Sequence, residues 1–258
     1  MTDATARRPY VVGNWKMHGL LSSLPAILDI DRAAACYRGV DVALALPFTL
    51  INPAAVTAAH ATIGAQNCHA AQEGAFTGDI SGRMLVDCGA RFVLLGHSER
   101  RLGCAEDSAT VRDKMRATLG HGLAAILCVG ESVEDRAAGR AEDTVRGQLL
   151  QSLPDEMTDT NPVTVAYEPI WAIGSGRIPD AAEIAAMHRA LCQTLRDRFG
   201  PAGQAIRLLY GGSVNDENAG SVLAIEHVDG VLVGNASLDP RRFRAIVAAA
   251  HHCGLRMT

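Results

Sequence analysis

Short runs of branched and small apolar residues recur along the whole chain, at positions 10–12, 42–46, 62–65, 92–95, 124–129, 163–167, 206–209 and 230–233. Each run is followed by a polar or glycine-containing turn, and Ala- and Leu-rich stretches with helical spacing lie between them. In residues 181–199, for example, Ile184, Met187, His188, Leu191 and Leu195 fall on one stripe. The runs are apolar on both faces, as parallel strands covered on both sides require. Eight such strands alternating with helices, with no Pro/Ser-rich linker between them, predict one α/β unit: a (β/α)8 barrel of eight parallel strands over residues 10–258. An open doubly wound sheet satisfies the same periodicity, because strand count does not prove closure.

Composition agrees with one large core. The 258 residues match a single barrel of about 250. The formal net charge of −4 offers no general attraction to nucleic acid or to an anionic membrane, so an anionic ligand needs a local positive site. The seven cysteines form no CxxC pair or metal-ligand cluster, and their odd number argues against a disulfide framework, which points to a reducing cytoplasm. Residues 1–9 carry Arg7 and Arg8 without an apolar segment behind them and read as a flexible N-terminal tail. No stretch approaches the length of a membrane span.

The residues AYEPIWAIGSGR, positions 166 to 177, place Glu168 at the end of an apolar run and follow it with a loop stiff at one end and free at the other. Pro169 fixes the chain after the carboxylate. Ile170, Trp171, Ala172 and Ile173 form an apolar middle, and Gly174 and Gly176 loosen the backbone around Ser175 before Arg177. This composition suits a general base beneath a closing lid, where loss of water raises basicity. An ordinary strand-to-loop turn with an exposed Glu has the same composition, and residues 170–173 could also be a small partner-binding patch.

Other chemically capable residues also follow strands: Asn14 and Lys16 the first, Asn67 the third, His97 and Glu99 the fourth, Gly211 to Ser213 the seventh, and Gly234 and Asn235 the eighth. In a barrel all C-terminal strand ends share one face, so these residues converge on one pocket. YGGSV at 210–214 and VGNAS at 233–237 suit a phosphate dianion held by backbone N–H groups, with Lys16 supplying a full charge. Neither run is a P-loop or a dinucleotide fingerprint, so nucleotide binding is unsupported.

VVGNWKMHG at 11–19, GAQNCHAAQEGAFTGDISGRML at 64–85, FVLLGHSERR at 92–101, ILCVGES at 126–132, YGGSVNDENA at 210–219 and VDGVLVGNASL at 228–238, with the lid segment, resemble the triosephosphate isomerase family in the family's order. The resemblance implies a TIM barrel and a homodimer. It also implies interconversion of dihydroxyacetone phosphate and D-glyceraldehyde 3-phosphate without metal or organic cofactor. On it, Glu168 is the base and His97 a neutral electrophile, a pairing for which this family is the standard worked case. Lys16 and Asn14 stabilise the developing oxyanion, and Glu99 orients Lys16 or exchanges protons with it; a purely structural ion pair is the alternative for Glu99. Gly174, Ser213, Gly234 and Asn235 hold the phosphate, with Lys16 and Asn14 beside them. Tyr210 and Ser213 meet the closed lid, and Thr77, in the loop GAFTGD, enters the neighbouring subunit.

The chain departs from the family pattern at Asn235, in place of a second glycine at the phosphate, and at His18, Ser175, Arg177 and Asp79. Cys104-Ala105-Glu106 stands in place of an FGE-like segment, which implies changed packing below the site. An isomerase of another small sugar phosphate, such as a four-carbon ketose phosphate, and a non-catalytic phospho-ligand-binding protein are the competing readings.

Overall fold

The computed structural model describes residues 7–155, 162–173 and 179–254. Eight strands, β1 (Tyr10–Asn14), β2 (Asp41–Leu46), β3 (Thr62–Ala65), β4 (Phe92–Leu95), β5 (Ala124–Val129), β6 (Val163–Tyr167), β7 (Arg207–Tyr210) and β8 (Gly230–Val233), pair in parallel and in sequence order into a closed barrel. Closure is made by β1 against β8, with Tyr10 opposite Gly230 and Gly13 opposite Val233. The open sheet is therefore excluded. The helices surrounding the barrel are α1 (Leu24–Cys36), α2 (Phe48–Ala55), α3 (Gly82–Asp87), α4 (Ser98–Gly103), α5 (Ser108–Gly120), α6 (Val133–Ala137), α7 (Ala141–Ser152), α8 (Ala181–Phe199), α9 (Pro201–Ala205), α10 (Ala219–Leu223) and α11 (Pro240–Gly254).

Strand alternation sorts the apolar residues into two cores. Tyr10, Val12, Ala43, Ala45, Phe92, Leu94, Ile126, Cys128, Ala166, Leu209 and Leu232 fill the barrel, while their neighbours Val11, Leu44, Leu46, Val93, Leu95 and Val165 pack outward against the helices. Three strands differ from the sequence expectation, β2 starting one residue earlier because Asp41 pairs with Tyr10. β1 runs on to Asn14 because Gly13 and Asn14 pair with Leu44 and Ala45, and β7 sits one residue later because Tyr210 pairs with Tyr167 and Val231. Asn14 and Tyr210 thus sit on the sheet rather than in the loops that follow it.

The N-terminal face is closed by charge. Arg207 pairs with Asp41 at 2.6 Å, and Arg8 reaches the same carboxylate at 3.4 Å. Within the expected tail, Arg7 pairs with Asp229 at 3.0 Å.

Helix α8 begins where a capping box places it: Asp180 accepts from the Glu183 N–H at 2.7 Å while Glu183 accepts from the Asp180 N–H at 3.0 Å. Its predicted stripe is buried, His188 included. The His188 Nδ1–H donates to the His227 carbonyl at 3.0 Å, and the ring lies 6.0 Å from that of Tyr167, edge to face. Burial pushes its pKa from the usual 6.5 down to about 4. The unfolded chain therefore binds a proton that the folded chain refuses between these values. The contribution of neutral His188 is whole above pH 6.5 and is lost as pH falls toward 4. Urea unfolding at pH 7 and pH 5 should show this group costing about 2 kcal/mol of stability. His188→Asn, which keeps a donor but cannot titrate, should be less pH-sensitive by that amount; equal losses in both proteins would contradict the assignment.

Candidate active site

The chain beyond β1 turns abruptly. Lys16 has φ of +52°, a left-handed conformation that costs a side-chain-bearing residue about 1 kcal/mol or more. Asn14 accepts from the Lys16 N–H at 2.9 Å and so holds the turn. The Lys16 ammonium meets Glu99 Oε1 at 2.5 Å, so the two residues expected to be neighbours are an ion pair, with Glu99 half exposed.

His97 caps the N-terminus of α4. Its Nδ1 accepts from the Glu99 N–H at 3.2 Å, and its Nε2 lies 3.1 Å from Glu168 Oε1. Glu168 follows β6, is 2 % exposed, and accepts from the Ser98 N–H through Oε2 at 3.2 Å. Burial disfavours a charged His97, but Glu168, through charge and hydrogen bond, and Glu99 outweigh burial and Lys16, and the pKa is raised. The hydrogen bonds set an opposite constraint. A ring nitrogen that accepts a backbone N–H must offer a lone pair, so Nδ1 is bare and the proton sits on Nε2, facing Glu168. A second proton would break the Nδ1 bond at the positive end of a helix, and this geometry identifies the neutral Nε2–H tautomer as the resting form.

Asn14, Lys16, His97 and Glu168 line one cavity of about 220 Å³, together with Ile173, Gly211 to Asn215, Leu232, Gly234 to Ala236 and Arg242. The glycine runs after β7 and β8 form its far wall. Ser213 is bound to the lid segment, its hydroxyl donating to the Ala172 carbonyl at 2.8 Å. Residues Ile170–Ala172 form a single 3-10 turn. Gly174, Ser175, Gly176 and Arg177 lie outside the described residues. Tyr210 is buried, with no hydrogen-bond partner for its hydroxyl among the described residues.

One sequence candidate takes another place. Asn67 turns away from the cavity and accepts from Lys114 at 2.9 Å, which with Arg100 also reaches Glu106 at 2.6 Å. Glu106, in the departing Cys104-Ala105-Glu106 segment, is buried by these partners. Thr77 lies in an exposed loop whose Phe76 stacks on His69 at 4.1 Å.

Sequence reasoning gave no role to Glu131, which is wholly buried. Its Oε1 accepts from Tyr167 at 3.1 Å and from the Trp171 indole at 2.8 Å, and Arg136, stacked over Trp171 at 4.5 Å, pairs with it at 3.4 Å. The 3-10 turn after Glu168 is thereby anchored. Cys128 was missed as well: it is buried beside Glu168, and burial and that carboxylate push its thiol well up, so it stays protonated.

The fold and the site define a barrel enzyme with a buried carboxylate–imidazole pair at its C-terminal mouth, in a glycine-walled cavity that also holds a lysine. The family model for triosephosphate isomerase matches residues 9–250. The chain is 46 % identical over 247 residues to the triosephosphate isomerase of Granulibacter bethesdensis, covering 94 % of this chain and 99 % of that one. It is 49 % identical over 249 residues to the one from Ruegeria pomeroyi, covering 94 % and 97 %. The crystal structure of triosephosphate isomerase from Bartonella henselae superposes with a TM-score of 0.87 at 39 % identity, covering 94 % and 98 %. The chain belongs to the triosephosphate isomerase family.

Proposed function

We propose that this protein interconverts dihydroxyacetone phosphate and D-glyceraldehyde 3-phosphate, in glycolysis and gluconeogenesis, through an enediol(ate). The observation that carries the reading is the buried Glu168–His97 pair, 3.1 Å apart, in the cavity that also holds Lys16. Glu168 takes a proton from the carbon bearing the hydroxyl, and the electron pair moves to the adjacent carbonyl oxygen. There the His97 Nε2–H, Asn14 and Lys16 stabilise the negative charge. His97 Nε2 gives its proton to that oxygen and recovers one from the hydroxyl oxygen on the neighbouring carbon; return of the carbon-bound proton to the former carbonyl carbon then completes the isomerisation with no net gain or loss of atoms, and neither a metal nor an organic cofactor is called for. Substrate entering between the two residues separates Glu168 from the imidazole and removes the main influence that favours a charged His97, which supports its role as a neutral acid. Gly211 to Ser213, Gly234 and Asn235 seat the phosphate, and the lid from Pro169 to Arg177, with Gly174 at the dianion and Tyr210 behind it, shuts out water.

A coupled assay with the three-carbon and a four-carbon substrate tests the reading. Turnover of triose phosphates well above that of the larger sugar is expected. Asn235, an exposed side chain on the cavity wall, is the feature that favours the four-carbon alternative. Inactivity on both substrates with retained phosphate binding would support a phospho-ligand-binding protein instead.

The proposed assembly is a homodimer. Met17 is 95 % exposed, and Leu20, Leu21, Phe76, Met84 and Leu102 are also exposed, all on segments that follow β1, β3 and β4. Such an apolar surface fits burial by a second copy, with Thr77 reaching the partner's site. Sedimentation should give a dimer, and activity per chain should fall as dilution produces monomers; a fully active monomer would contradict this. The described cysteines are all free and no described helix is long and apolar enough to cross a membrane, in keeping with a cytoplasmic site of action.

A further inference from the structure

The substrate cavity has a second cation on its wall. Arg242, in the first turn of α11, lines it together with Gly234, Asn235 and the β7 loop residues Gly212 to Asn215. Its Nε donates to Asp216 Oδ1 at 2.7 Å, and Asp216 is not itself part of the lining. The carboxylate thus braces the guanidinium from outside the cavity. It also takes up only one of the five donors, and Nη1 and Nη2 have no protein partner among the described residues. Lys16, in contrast, is already in contact with Glu99. A phosphate dianion in this cavity therefore meets one cation shared with a carboxylate and a second whose outer edge is free.

We propose that Arg242 is a phosphate-binding residue, a guanidinium fixed by Asp216 that approaches the substrate's phosphate from the first turn of α11, on a wall it shares with the β7 and β8 loops. This rests on the proposed phosphorylated substrate. It gives the first turn of the last helix a role in affinity and in electrostatic capture. A half-exposed guanidinium reaches an incoming anion before the buried groups do, and its effect weakens with salt. Arginine suits the position because its planar fork keeps two parallel donors for phosphate oxygens while Nε stays engaged.

The test is steady-state kinetics with inorganic phosphate as competitor, plus direct titration of inorganic phosphate into the same proteins by calorimetry. Arg242→Ala should raise KM and the phosphate inhibition constant together by about 5- to 10-fold, with a smaller effect on kcat and a shallower dependence of kcat/KM on ionic strength. Arg242→Lys should recover part of the loss. Asp216→Asn, which loosens the brace and leaves the cation, should have a smaller effect than Arg242→Ala. If Arg242→Ala leaves KM and phosphate affinity unchanged in a protein of normal Tm, or if Asp216→Asn reproduces its whole effect, Arg242 is a surface tether of α11 and the proposal is wrong. Failure of the substrate reading has a different signature: no turnover of triose phosphates by the parent protein, with phosphate binding still dependent on Arg242.

Discussion

Glu168→Asp lowers kcat by roughly 100- to 1,000-fold and leaves KM within a few-fold of the parent value. The carboxylate is held from two sides, by the Ser98 N–H at 3.2 Å and by His97 Nε2 at 3.1 Å, in a nearly sealed setting. Removing one methylene pulls both oxygens back toward β6 by about 1.5 Å, the length of one carbon–carbon bond, while the cavity walls stay in place. On the proposed function, binding depends mainly on the phosphate, at the β7 and β8 loops and Lys16, and survives. Proton transfer needs the base within hydrogen-bond reach of the carbon and does not survive. Steady-state kinetics in both directions measures the split. A kcat within two-fold of the parent would remove Glu168 from the role of base.

Gly130→Ala should be nearly as damaging, although the residue carries no chemistry. A methyl group there would stand 1.7 Å from the Glu168 carbonyl oxygen, a backbone atom that a rotamer change cannot move. Gly130 is also gripped in both directions by Gln148 of α7, at 2.9 Å each way, so it cannot retreat. The end of β6 must shift, and with it the base. Displacement of a base by an ångström costs about 100-fold in turnover, and the overpacking costs about 1–3 kcal/mol of stability. Gly147→Ala in α7 is the control: nothing lies within 4 Å of its new methyl group, and it should stabilise the helix by about 0.5–1 kcal/mol with kcat unchanged. Thermal unfolding and kcat measured on both variants separate the two outcomes. A Gly130→Ala enzyme with normal kcat would mean that β6 is not seated by this contact.

The strands and the placement of Glu168, His97 and Lys16 at strand ends were legible because each rests on local pattern, whereas closure of the barrel was not given by strand count and came from the family resemblance. Apolar runs mark buried parallel strands, and a polar residue just beyond such a run falls at the barrel mouth. What escaped depends on contacts between distant segments. Glu131 resembles any acid in a turn after a strand, and its burial arises only when Trp171 and Arg136 cover it. Arg242 resembles a solvated charge at the start of a helix until the fold sets α11 against β1 and the turn that follows β8. Asn67 has the right position for the mouth, yet Lys114 is buried and needs an acceptor, which turns the amide away. The left-handed turn at Lys16 was also invisible, since the residue itself disfavours it and the Asn14 side chain stabilises it. The same limits apply to His188, which the stripe placed on the buried face although its Nδ1–H finds its acceptor only at the His227 carbonyl, 39 residues away.

On the proposed mechanism, Glu168 moves a carbon-bound proton of a triose phosphate. Proton NMR of dihydroxyacetone phosphate in deuterium oxide tests it most directly, with the parent protein and Glu168→Gln compared at equal concentration. Enzyme-dependent isomerisation with deuterium entering at carbon is expected in the parent protein, and both processes should be slowed together by about 1,000-fold in the variant. Isomerisation and exchange at the parent rate in Glu168→Gln would contradict it.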